Sequence, residues 1–246
     1  MPSETMRGIV LRHANYRDHD RMLTLFSPEK GRVDALARGC RRPKSPLLTA
    51  GEVFAQGEFV LFRSQDRYTL TSCAIADTYY PLRLDPYRLT CAGYLLGLAL
   101  AAVQPGEAAP ELYALLLEGL GGLAYHEEEL PLSLTTAFLL RYAGVIGYKP
   151  RMNHCAHCRT PLGISGGALL DVEAGGLVCA GCAGSGTYRL SAAQVDWMRA
   201  VLGQESLKAV GEAGLLGEDR TDLFVIFREY VESRLETTIK GSRLLP

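Results

Sequence analysis

Cys155-Ala-His-Cys158 is followed after twenty residues by Cys179-Ala-Gly-Cys182, and no other feature constrains the chain's fold as strongly. Two C-x-x-C turns at that separation have the spacing of a structural zinc site. Each turn brings two thiolates close together, and two facing turns supply the four sulfurs of a tetrahedral Zn²⁺ centre. A metal with four protein ligands has no open position, so one such zinc holds a fold together and leaves no room to activate water. The rival readings are two disulfides, a redox-active C-x-x-C, and substitution of His154 or His157 as ligands. Met1-Pro-Ser-Glu-Thr-Met-Arg7 does not resemble a secretory signal, so a reducing, cytoplasmic setting is expected and disulfides are disfavoured.

Two domains and an appendage are expected from 246 residues, of which 48% are hydrophobic. The longest apolar stretch, Tyr94 to Val103, is too short and too rich in alanine and glycine to span a bilayer, so no membrane partner is expected. The net charge of −1 argues against a nucleic-acid partner until the chain is divided. Residues 1–80 carry twelve Lys and Arg against nine Asp and Glu, whereas residues 81–150 carry four against seven. An anion-binding surface therefore belongs at the N-terminal end.

Periodicity sets the fold class. Met6–Arg12, Arg21–Phe26, Arg32–Arg38, Val53–Phe62 and Tyr68–Tyr79 read as strands, with Pro28 and Gly31 shaping one turn and a short polar hairpin over 63–67. Five strands in about eighty residues fit a small barrel of the OB kind better than a sandwich. From Pro86 the period lengthens to about 3.6, and Pro86, Pro110 and Pro131 stand at or near the starts of three helices. Ser191-Ala-Ala-Gln194 has the form of a capping box opening a helix through Leu202, and a long helix is predicted over Thr221–Ile239. The expected architecture is an α+β multidomain protein. It has a five-stranded OB-type β-barrel over 1–80, an α-helical domain over 81–150 and 189–246, and a four-cysteine zinc-binding insert over 151–188.

Arg38-Gly-Cys-Arg41-Arg42-Pro-Lys44 places four cations within seven residues on a connection between predicted strands. Gly39, Pro43 and, two residues past its end, Pro46 keep this segment out of helix. Arginine forks and a lysine point charge on such a loop suit phosphate oxygens, giving strand binding that is salt-dependent and blind to sequence. Arg12 and Arg32 are further candidates, with Arg7, Arg63 and Arg67, and Tyr16, Phe54, Phe59, Phe62 and Tyr68 are candidate base stackers, most of them better suited to the core. An enzymatic reading would rest on His126-Glu-Glu128 with Cys155-x-x-Cys158, which superficially matches a zinc deaminase signature. Residue 154 is His where that signature has Pro, and Cys179 and Cys182 would have no role. Cys40, Cys73 and Cys91 stand alone and read as packing residues.

Several stretches together resemble the RecO family of bacterial recombination mediators. They are Gly8-Ile-Val-Leu11, Leu25-Phe-Ser27 with Glu29-Lys-Gly31, Ala37 to Ser45, Phe138-Leu-Leu-Arg-Tyr142 with Gly147-Tyr-Lys-Pro150, the two cysteine pairs, and Lys240-Gly-Ser-Arg243. The resemblance implies an N-terminal OB domain, a helical domain and a zinc-binding segment. It also implies a non-enzymatic role in DNA repair and recombination. In that role the protein binds single- and double-stranded DNA, anneals complementary strands, and acts with RecR to help RecA load onto strands coated with single-stranded DNA-binding protein, itself a further partner. Carried onto this chain, it makes Arg38, Arg41, Arg42 and Lys44 the DNA contacts and a nucleoid-associated location the expected one. Not every family member has the cysteines, which makes the metal a local feature of this branch. The alternative function is a protein-interaction adaptor with a structural zinc site.

Overall fold

The computed structural model describes residues 3–65, 67–126, 131–163, 167–203, 207, 215 and 217–246. Two compact units emerge, one formed by Met1–Leu84 with Leu96–Leu116, the other by Asp85–Leu95 with Leu117–Pro246.

The first unit is built on five strands, β1 (Ser3–Tyr16), β2 (Asp20–Ser27), β3 (Gly31–Ala37), β4 (Gln56–Ser64) and β5 (Arg67–Asp77). They close into a barrel in the order β1-β2-β3-β5-β4. Closure depends on β1, which is long enough to serve two neighbours. Its first half pairs with β4 from Ser3↔Phe62 to Ile9↔Gln56, and from Ile9↔Phe26 onward, through an irregularity between Val10 and Arg12, it pairs with β2 out to Tyr16↔Asp20. A parallel contact of β3 with β5, at Ala35↔Tyr68 and Leu36↔Thr69, seals the other side. This is the OB-type barrel anticipated from the strand count.

Alternation places the core. Leu23 and Leu25, then Val33, Ala35 and Ala37, then Phe59 and Leu61 point inward at every second position and join Met6, Val10 and Leu70 in one buried cluster. The fourth strand starts three residues later than its composition suggests. Phe54 adopts φ +73° and its N–H donates to Val10 O, while Val10 N–H donates to Ala55 O, so the segment before Gln56 bends onto β1 and cannot extend the ladder with β5.

The helices are α1 (Pro86–Ala102), α2 (Pro110–Tyr125), α3 (Pro131–Val145), α4 (Ala192–Gly203) and α5 (Gly217–Leu235). The first three begin on proline, whose missing N–H costs nothing at a first helical position. Asp85 caps α1, accepting from the N–H groups of Tyr87 at 2.8 Å and Arg88 at 3.1 Å. The capping box is reciprocal: Gln194 N–H donates to Ser191 Oγ at 3.2 Å and Ser191 N–H to Gln194 Oε1 at 2.8 Å. In the second unit α3 is central, with eleven of its fifteen residues buried, and it packs against α4 and α5. Helix closure thus takes place across the intervening cysteine segment. The last helix runs four residues earlier at each end than its apolar stripe suggests. Asp and Glu in Gly217-Glu-Asp-Arg220 favour an N-terminal turn, and Glu236, at φ +51°, stops the helix before Thr237-Thr238-Ile239.

Between α3 and α4 lies a small antiparallel sheet in the order β7-β6-β8, from β6 (Ala168–Asp171), β7 (Gly176–Val178) and β8 (Thr187–Leu190). Among the described residues no helix is long and apolar enough to cross a membrane.

Candidate metal centre and nucleic-acid surface

Strand β7 runs directly into Cys179, and the chain before the first cysteine pair lies beside it. Leu177 N–H donates to Arg151 O at 2.8 Å and Ala156 N–H to Leu177 O at 2.8 Å, so the two cysteine turns are delivered to one place by main-chain bonds. Each turn is closed locally, with Cys155 N–H on Thr160 O at 2.8 Å and Cys182 N–H on Cys179 O at 3.0 Å. The Sγ atoms of Cys155, Cys158, Cys179 and Cys182 all lie within 4.8 Å of one another. Cys158 and Cys179 are 3.7 Å apart. Four Zn–S bonds of about 2.3 Å in a tetrahedron require sulfurs about 3.8 Å apart, so the set fits such an ion.

Electrostatics point the same way. The Cys179 N–H aimed at Cys155 Sγ at 3.4 Å pulls that thiol down to about 6. Hydrogen bonding to Cys179 and the crowd of other thiols pushes Cys182 up to about 12. Four sulfurs this close cannot all ionise without a cation among them, and a divalent ion removes that conflict. His154 and His157 stand outside the cluster, and His157 Nε2 lies 3.2 Å from Asp171 Oδ2 instead. All seven cysteines are free thiols. Cys179 and Cys182 sit in the same cluster as the first pair, which leaves no three-ligand arrangement of the deaminase kind, and Glu128 lies outside the described residues. Burial raises the thiols of Cys40 and Cys73 and takes Cys91 to about 11, so none of the three is an activated nucleophile.

The basic segment leaves β3 as a chain of tight turns anchored to the barrel by its apolar members. Cys40 is 1% exposed and Leu47 7%, while Arg38, Arg41, Arg42 and Lys44 are all exposed. Its base is pinned to the β1–β2 turn. Gly39, at φ +64°, donates its N–H to Asp20 Oδ1 at 2.7 Å, and Arg41 donates from N–H to His19 O and from Nη1 to Asp18 O, each at 3.0 Å. Further on, Ser45 N–H donates to Arg42 O at 2.9 Å. None of the four cations forms an ion pair among the described residues, so their charge faces solvent uncompensated.

The remaining candidates are placed differently. Arg12 donates to Thr24 Oγ1 at 3.2 Å, Thr24 donates to Asp34 Oδ1 at 2.6 Å, and Arg32 approaches Asp34 at 3.8 Å, so Arg32 reaches this carboxylate directly and Arg12 only through the Thr24 hydroxyl. Arg32 is the second residue of β3 and Arg38 follows its end, a separation of about 20 Å at about 3.3 Å per residue, so the two groups are separate sites on the barrel. Arg7 is answered by Glu29 at 2.6 Å. Of the aromatics, Phe54 and Phe59 are buried and Tyr68 packs against the core, whereas Tyr16 is 42% exposed with Arg17 over its ring. The carboxylate of Asp20, which pins the loop, is a part of this arrangement that sequence reasoning misses. Its only signal there is an acidic residue at a strand start, which by itself is commonplace.

Both parts of the chain match known families. The family described as Recombination protein O N terminal matches residues 1–79, and Recombination protein O C terminal matches residues 83–243. The chain is similar to the DNA repair protein RecO of Pelotomaculum thermopropionicum, with 30% identity over 97% of this chain and 91% of that protein. It is also similar to those of Moorella thermoacetica, with 33% identity over 72% and 65%, and Acetivibrio thermocellus, with 35% identity over 61% and 60%. The last two alignments thus span less than two thirds of the relative's length. With both halves matched in order, the chain belongs to the recombination protein O family.

Proposed function

We propose that this chain acts in DNA repair and recombination as a non-catalytic DNA-binding protein that uses the Arg38–Lys44 loop to hold strands by their phosphates. The observation that carries this reading is the loop itself, in which four exposed cations without ionic partners are mounted on a segment fixed at both ends to a closed barrel. Arginine forks and a lysine point charge grip phosphate oxygens without consulting the bases, so single- and double-stranded DNA are both ligands. Neutralising the repulsion between two backbones while leaving base edges free is what strand annealing requires. Arg12, held by Thr24, and Arg32, partly answered by Asp34, contribute weaker contacts. Family membership supports the wider role, in which RecR is the partner, RecA is loaded onto strands coated with single-stranded DNA-binding protein, and the setting is the cytoplasmic nucleoid. Residues 1–80 form the DNA-binding domain, 81–150 with 189–246 the helical domain, and 151–188 the metal-binding segment.

Cys155, Cys158, Cys179 and Cys182 hold one structural Zn²⁺ ion, which fixes the small sheet and the two turns and carries out no chemistry. The test is annealing of two complementary oligonucleotides by the full chain. Neutralising Arg38, Arg41, Arg42 and Lys44 is expected to abolish the acceleration, and annealing at the original rate would reject the loop as the DNA contact.

A further inference from the structure

The second unit contains a cleft of about 510 Å³ whose walls include Tyr148, Lys149, Arg151, Glu173, Tyr230 and Arg234. Three cations face one carboxylate there, on the unit whose sequence is otherwise acidic. Lys149, Arg151 and Arg234 form no ion pair among the described residues.

The cleft is rigidly built. Pro150 is buried, so in the extended run 149–151 the alternation of side chains sends Lys149 and Arg151 to the same outer face, and both are exposed. The run is fixed at each end. Tyr230 donates its hydroxyl to Tyr148 O at 3.0 Å, and Arg151 N–H donates to Gly175 O at 3.1 Å. Arg234 forms the floor. Its guanidinium lies 3.7 Å from the centre of the Tyr230 ring and 5.8 Å from that of Tyr148, and it donates to Tyr230 O and Val172 O. Together with Ser233 Oγ, which also accepts from Nη1 at 3.1 Å, these acceptors are all neutral, so the positive charge remains available. Gly175 keeps the floor open, since a Cβ there would sit 3.3 Å from Arg234 Nη2 and 3.4 Å from Tyr230 Oη. Tyr148 is 48% exposed at the rim.

We infer that this cleft is a second nucleic-acid contact, binding the phosphodiester backbone of a single strand through Lys149, Arg151 and Arg234 with a base against Tyr148. An exposed aromatic beside fixed, uncompensated cations is the combination that single-strand binding uses, stacking giving sequence-tolerant affinity and cations tracking the backbone. Glu173 opposes the anion and moderates affinity. The inference rests on the reading of the chain as a DNA-binding protein and adds a site outside the barrel.

The test is fluorescence anisotropy with a labelled oligothymidylate, using the full chain over a range of salt, with three substituted forms beside it. Lys149→Gln/Arg151→Gln removes two contacts, each worth a slope of about 0.7 for single strands, so the effect of raising salt fourfold falls by about sevenfold. Glu173→Gln strengthens binding, a direction that loss of folding cannot mimic. Tyr148→Ala reduces the fluorescence change of a 2-aminopurine oligonucleotide on binding. An unchanged slope in the double variant, while neutralising Arg38, Arg41, Arg42 and Lys44 lowers it, overturns the cleft and leaves the barrel loop standing. Unchanged binding by Glu173→Gln, or an unchanged 2-aminopurine signal in Tyr148→Ala, also counts against it. No binding by the unmodified chain removes both readings.

Discussion

Replacing Asp20 with alanine separates the position of the basic loop from its charge. The Asp20 carboxylate accepts the Gly39 N–H at 2.7 Å, which holds the first turn of the loop against the start of β2. A hydrogen bond to a charged acceptor contributes about 1.5–3 kcal/mol, and partial exposure of Asp20 places this one near the lower figure. In Asp20→Ala the loop must be re-ordered when a strand binds, so affinity is expected to fall by about tenfold, the equivalent of about 1.4 kcal/mol. Simple charge counting gives the opposite sign, because the substitution removes an anion beside four cations. The salt slope stays unchanged, since every cation remains. Asp20→Asn keeps a side-chain acceptor and is expected to bind at least as well as the unmodified chain. Binding is read by anisotropy on a short oligonucleotide. A second readout is thiol labelling of Cys40, which is 1% exposed in the loop and becomes reactive when the turn loosens. Binding by Asp20→Ala that equals or exceeds the original, with Cys40 still protected, would refute the positioning argument.

Cys155→Ser or Cys182→Ser is expected to destabilise residues 151–188 while changing DNA affinity less than about twofold, and metal analysis of the folded chain should find one zinc, its absence rejecting the site. Within the second unit, Gly119→Val should cost more than about 2 kcal/mol in chemical denaturation, because even a Cβ there lies 2.7 Å from Leu95 Cδ2 and 3.0 Å from Phe138 Cδ2. Gly121→Ala, with nothing within 4 Å, should instead stabilise α2 by about 1 kcal/mol. Burial, and then the neighbouring Arg21 charge, hold His13 below its ordinary 6.5 despite the opposing pull of Glu52. The unfolded chain therefore takes up the proton first, and stability declines as pH falls below about 6.5, a dependence that His13→Gln should reduce.

The barrel was legible because its core obeys a two-residue period. Leu23 with Leu25, and Phe59 with Leu61, reveal both the strands and the face each buries. Helix starts were legible because proline and the Ser191–Gln194 box have local, steric signatures. The cysteine cluster was legible because metal turns fix their own spacing. What escaped was settled by partners distant in sequence. Phe54 leaves the strand because Val10, forty-four positions away, bonds to its backbone. The cleft around Tyr148 needs Arg234 from α5 and Gly175 from the turn after β6, and no local pattern joins those three stretches. Asp20 shows the same limit on a smaller scale, since its partner Gly39 is a main-chain donor.

The most direct test of the central claim is the affinity of the full chain for single-stranded DNA measured against salt, with the basic loop intact and with Arg38, Arg41, Arg42 and Lys44 all neutralised. Four phosphate contacts at about 0.7 each predict that the slope of log affinity against log salt becomes shallower by about 2.8, and that weak residual binding persists. Parallel lines for the two proteins would contradict the assignment of DNA binding to this loop.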